Sequence, residues 1–146
     1  VLPTEWSIAQ QALQPLWSAW GKPMIDLFAT KYNKKLLLYF SPRHGPAALG
    51  RDAFARTWTG LDAYAYPPTS LIPKVLAKVV AERPRLILVT PFWPAAPWFP
   101  EVMELSRGVF LRLSLSEKTL VQPRSGIGHP NVAWMSLTGW LLSDVV

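Results

Sequence analysis

Leu61-Asp62-Ala63-Tyr64-Ala65-Tyr66-Pro67-Pro68 and Arg85-Leu86-Ile87-Leu88-Val89-Thr90, with segment 70–81 between them, decide the fold. The first stretch alternates apolar and aromatic residues, which predicts a strand, and Pro67-Pro68 ends it. The middle segment carries Ile72, Val75, Leu76, Val79 and Val80 at helical spacing, with Lys74 and Lys78 on the opposite side. Ser70 is the expected N-cap, and Pro73 falls in the first turn, where proline is tolerated. The second stretch is mostly apolar, as in a strand covered on both faces of a parallel sheet. Strand, helix and strand in succession imply a right-handed crossover.

The pattern extends outward from this unit. Ser7, followed by Ile8, Ala12, Leu13, Leu16, Trp17 and Trp20, predicts a capped helix, kinked at Pro15 and stopped by Gly21 and Pro23. Met24-Ile25-Asp26-Leu27-Phe28 reads as a short buried strand and Tyr32-Asn33-Lys34-Lys35 as a turn. Leu36 to Phe40 reads as a second strand, Ser41 to Gly50 as loop, and Arg51 to Trp58 as a short helix. Downstream, Pro91 to Pro97 is a rigid loop, Trp98 to Leu105 a short helix and Val109 to Leu113 a strand. Segment 114–130 is polar and loop-like, and Asn131 to Ser143 suits helix or strand equally. The expected fold is a single α/β domain over 1–146, a small Rossmann-like three-layer arrangement with a mostly parallel central sheet. Its central strands would include Ile25–Phe28, Ala63–Tyr66, Leu86–Val89 and Val109–Leu113.

Composition excludes several chemistries. The chain has no Cys, so it has no disulfide, thiolate metal site or Cys nucleophile. His44 and His129 stand far apart with no partner at ligand spacing, which argues against a metal site. No apolar run approaches the ~18 residues of a membrane span. Val1-Leu2-Pro3-Thr4-Glu5 has neither the basic start nor the apolar block of a signal peptide, and the missing initiator Met suggests a segment of something longer. An intracellular setting, nuclear or cytoplasmic, is the expectation. No Ser-His-Asp set or phosphate loop is present, and the nine scattered acids do not assemble an RNase H cluster.

Several segments, taken in order, carry a resemblance. They are Asp26-Leu27-Phe28-Ala29 with Asn33, Asp52-Ala53-Phe54 with Trp58, Tyr64-Ala65-Tyr66-Pro67-Pro68, Leu86 to Pro91, and Trp98-Phe99. Over roughly residues 3–113 the chain resembles a small Dam-like N6-adenine methyltransferase domain. The version it is most similar to lies in DIRS-type tyrosine-recombinase retrotransposon polyproteins, after the reverse transcriptase and RNase H. The resemblance implies a catalytic site at Tyr66, Pro67, Pro68 and Thr69, an S-adenosylmethionine pocket near Asp26, Phe28 and Asp52, and neighbouring reverse transcriptase and RNase H domains as partners. The family's Asn-Pro-Pro-Tyr motif is Tyr66-Pro67-Pro68-Thr69 here. A tyrosine in place of the amide cannot reproduce a carboxamide oxygen close to the backbone, and Thr69 cannot stack on an extruded base. The expectation is therefore a degenerate site, with an active adenine methyltransferase as the alternative. Ala29-Thr30-Lys31 after the Asp26 strand gives no glycine-rich close approach, so S-adenosylmethionine binding is expected to be weakened, and no cofactor is favoured over that one. Asp26 reads equally as a ligand or as a carboxylate closing a turn. Asp52 could face the cofactor or cap the short helix that follows it.

The formal net charge is +6. Lys31, Lys34, Lys35, Arg43, Arg51 and Arg56 make the first half basic, which suits phosphate contacts with DNA or RNA. Trp93 and Trp98 flank a proline-rich loop, where aromatics could stack on bases. The third alternative is a protein-interaction domain that docks through such tryptophans.

Overall fold

The computed structural model describes residues 7–8, 10–28, 38–39, 53–113, 120–121 and 137–143. Among these, β1 (Ser7–Ile8) pairs antiparallel with β7 (Leu120–Val121) in a separate two-stranded ribbon. The main sheet has the order β3 (Leu38–Tyr39), β2 (Ile25–Asp26), β4 (Asp62–Ala65), β5 (Arg85–Pro91), β8 (Leu137–Leu142), β6 (Phe110–Arg112). The pairs β2–β3, β2–β4 and β4–β5 are parallel. β8 is antiparallel to both of its neighbours. Since β6 opposes β8, and β8 opposes β5, every strand of the sheet except β8 points the same way.

Helices cover both faces. Helix α1 (Gln10–Trp20) lies on one, where Leu13, Leu16 and Trp17 cluster with Tyr64, Ile87, Val89, Leu113 and Leu137. Helices α2 (Ile72–Glu82) and α3 (Phe99–Ser106) lie on the other. Ile72, Val75, Leu76, Val79, Phe99 and Val102 meet Ala63, Ala65, Leu86, Leu88 and Trp140 there. β5 shows the period-2 logic directly: Leu86 and Leu88 face α2, Ile87 and Val89 face α1, and all four are fully enclosed. Burying each such side chain contributes about 1.5–3 kcal/mol, which makes β5 the spine of the domain.

Helix α1 runs through Pro15 and ends at Gly21, whose φ of 85° needs a residue without a Cβ. The Gly21 N–H donates to Trp17 O at 2.8 Å, satisfying an end carbonyl. At the same end Arg85 donates to Trp20 O and pairs with Asp62 at 2.8 Å. Helix α1 thus ends at the amino edge of the parallel strands and runs antiparallel to them.

Some expectations need correction. Val109–Leu113 is not a central parallel strand: its core, Phe110–Arg112, lies at the edge beside the reversed β8. Of Asn131–Ser143, the described part is strand, because a buried slot between β5 and β6 selects the extended form. Ser7 belongs to β1 rather than to the start of the helix, and α1 begins at Gln10. Ser70 sits in a 3-10 turn, Thr69–Leu71, and Leu71 is the N-cap of α2 without a side-chain bond. The turn supplies backbone pairing instead, Leu71 N–H to Pro68 O at 2.9 Å. Val80 is 47% exposed, since the stripe of Ile72, Val75, Leu76 and Val79 already fills the contact with the sheet. Of the short helix expected at Arg51–Trp58, the described part, 53–58, holds a single 3-10 turn, Ala53–Ala55. Among the described residues no helix is long and apolar enough to cross a membrane.

Candidate functional site

In an open sheet of this kind, ligands bind outside the carboxyl ends of the strands, where the chain's crossovers change direction. Here β3 and β4 follow β2 in the chain and lie on opposite sides of it. The change of direction therefore falls between β2 and β4. Asp26 ends β2, and Tyr66-Pro67-Pro68-Thr69 follows β4. The two segments singled out in the sequence are thus brought to one place, tied by Leu27 N–H to Tyr64 O at 2.9 Å.

Asp26 is 1% exposed, and its carboxylate accepts from Phe28 N–H at 3.2 Å. Ile25 and Leu27 belong to the α2 side, so alternation turns Asp26 to the α1 side, beside its register partner Tyr64. The Tyr64 phenol is pushed well above its usual range, by burial first and then by the Asp26 and Tyr66 charges. Trp17 meets Tyr64 edge-on at 5.5 Å, and its buried indole N–H has no partner among the described residues. Tyr66 packs against this same α1-side cluster, and burial raises its phenol to about 12. Pro67 is buried, whereas Pro68 and Thr69 are exposed.

The α2 side of the same edge is aromatic. Phe28, Phe54 and Trp58 form a row with ring centroids 5.5 and 5.7 Å apart. Lys74 lies 4.4 Å over Phe54, and Lys78 lies 5.5 Å over Trp58. Such contacts are worth about 0.5–1 kcal/mol at exposed positions. Lys78 also bonds Glu82, which accepts from Trp58 N–H. These two donors, Lys78 first, hold the Glu82 carboxyl below its usual range. Both lysine cations thus lie over rings of this aromatic row.

Further along the edge, β5 runs into Phe92 and Trp93. Trp93 is 49% exposed, but Trp98 is only 8% exposed and packs beneath it at 6.4 Å. Trp98 therefore does not offer the stacking face expected of it; helix α3 starts on it and encloses it. Phe92 stacks on Trp140 at 6.4 Å and 8°, and Trp140 donates to Thr90 Oγ1 at 2.9 Å. Arg112 lies 4.1 Å over Phe92. The sequence reading missed Arg112 and Phe92. The signal that finds them is register: Arg112 pairs with Thr138, and Thr138 with Thr90, so Arg112 reaches the same edge as the β5 loop. Lys31, Asn33, Lys34, Lys35, Arg43 and Asp52 lie outside the described residues. Among the described residues no group of three or more His, Cys, Asp or Glu could hold a metal ion. No protein-family model matches the sequence, and no curated protein is significantly similar to it.

Proposed function

We propose that this chain is a methyltransferase-like domain from a retroelement polyprotein, catalytically degenerate, and that it serves as a nucleic-acid-binding module beside a reverse transcriptase and RNase H. The observation that carries this reading is Tyr66. The motif follows the strand next to the change of crossover direction, where a base-accepting loop is needed. Yet the residue in the amine-accepting position packs on the α1-side cluster with its phenol raised to about 12. A half-buried, protonated phenol is a poor substitute for an amide oxygen presented to an extruded adenine. Thr69, in the stacking position, has no ring.

Two of the residues that the resemblance assigns to S-adenosylmethionine, Asp26 and Phe28, do not fit it well. Asp26 is enclosed and engaged by the Phe28 N–H, and Phe28 packs on the opposite face against Phe54. A ligand carboxylate would need an open side toward the cofactor. This supports a domain without that cofactor. The basic balance supports phosphate binding in an intracellular setting.

The test is equilibrium binding to mixed-sequence DNA and RNA over a salt series. Affinity should fall linearly with the logarithm of salt concentration. Replacing Lys34 and Lys35 together by Glu should weaken binding uniformly across sequences. Binding at low salt that is unchanged in that double variant takes Lys34 and Lys35 out of the binding surface, whereas absence of salt-dependent binding by the wild type refutes the nucleic-acid role. That absence would favour the reading as a protein-interaction domain, for which exposed Trp93 is the supporting observation.

A further inference from the structure

We propose, resting on the nucleic-acid-binding reading, that the rim between β5 and β6 is a subsite for single-stranded nucleic acid, with Trp93 stacking on an unpaired base and Arg112 contacting a phosphate near it. Trp93 is the large aromatic left exposed among the described residues. Its ring is backed by enclosed Trp98, and Pro94 and Pro97 restrict the loop that holds it. A platform fixed in advance loses little freedom on binding.

Arg112 is held as well. Its guanidinium rests 4.1 Å over Phe92, and Phe92 is clamped by Trp140 and by Phe99 at 5.2 Å. Phe92 is half-buried, and the face under Arg112 is already taken by the guanidinium. β5 and β6 are two strand spacings apart, on the order of 10 Å, which one short stretch of backbone can bridge. The rim thus pairs a cation with an aromatic face, the combination that a sugar-phosphate chain with splayed bases fits. Inside a duplex both faces of a base are covered by its neighbours, so Trp93 can reach a base only where it is unpaired. Stacking on a single ring is tolerant of sequence, so selection is by strandedness.

The experiment is fluorescence-anisotropy titration of the full chain with labelled oligothymidylate of about 20 nucleotides and with a duplex of the same length. The single strand should bind more tightly. Trp93→Ala should lower single-strand affinity about 5- to 150-fold and erase the preference, while Trp93→Phe retains most of it. Arg112→Gln should lower affinity for both probes and reduce the salt slope by about one. Near-ultraviolet circular dichroism checks that each variant is folded. Single-strand binding by Trp93→Ala equal to wild type overturns the subsite, and salt-dependent wild-type binding then leaves the broader reading standing. Failure of the wild type to bind either probe at low salt overturns both.

Discussion

Gly139→Ala tests how helix α1 is seated on the sheet, on which the placement of Trp17, Tyr64 and Asp26 depends. A methyl group at Gly139 would lie 2.6 and 2.7 Å from the two δ-carbons of Leu16 and 3.3 Å from its γ-carbon. Ordinary carbon contacts are about 3.5–4.0 Å, so the overlap is about 1 Å. Leu16 is fully enclosed, so its end cannot swing to solvent. The expected cost is that of overpacking, about 1–3 kcal/mol. Leu16→Ala alone should cost about 2–5 kcal/mol by leaving a cavity. In the double variant the clash vanishes and the new methyl occupies part of that cavity. The two changes should therefore be non-additive, with a favourable coupling of about 1–3 kcal/mol. Urea unfolding followed by tryptophan fluorescence measures all four proteins. Additivity within about 0.5 kcal/mol would refute the close approach of α1 to β8.

Three further outcomes are expected. Thr90→Val removes the acceptor for the Trp140 indole N–H in a fully enclosed site, and denaturant unfolding should show a loss of about 1–3 kcal/mol. Glu82 has a lowered carboxyl pKa when folded, so its contribution is present above the ordinary value of 4.5 and fades as pH falls through the folded value. Glu82→Gln should flatten that acid limb of the stability profile; an unchanged limb contradicts the Lys78 and Trp58 bonds. Tyr66 has a raised phenol, so its neutral form stabilises the fold below pH 10 and that stability is lost as pH rises from 10 towards about 12. A spectroscopic phenolate titration should lose a late phase in Tyr66→Phe, and loss of an early phase instead would put Tyr66 in solvent.

The elements with strong local signals were legible in the sequence. The apolar run of β5 and the stripe Ile72, Val75, Leu76 and Val79 each point to one form whatever surrounds them. Bringing Asp26 and the Pro-Pro turn together also followed, because both end strands expected to lie in one sheet. The reversed strand β8 did not follow: Leu137, Trp140 and Leu141 suit either period, and only the slot between β5 and β6 chooses. Its insertion then moves 110–112 to the edge. Ser7 and Ser70 are good caps in isolation, but a β-bridge and a 3-10 turn take those positions. Trp93 and Trp98 read alike in sequence, and which one stays exposed is decided by where α3 begins. The side that Asp26 faces became readable only with its pairing to Tyr64.

The most direct test of the central claim is transfer of labelled methyl from S-adenosylmethionine to DNA and RNA by the full chain. The account predicts no incorporation above background, because half-buried Tyr66 packs against the α1-side cluster in place of an amide and Thr69 lacks a ring. Incorporation that is lost in Pro67→Ala would contradict it and show that Tyr66-Pro67-Pro68-Thr69 still works as a catalytic motif.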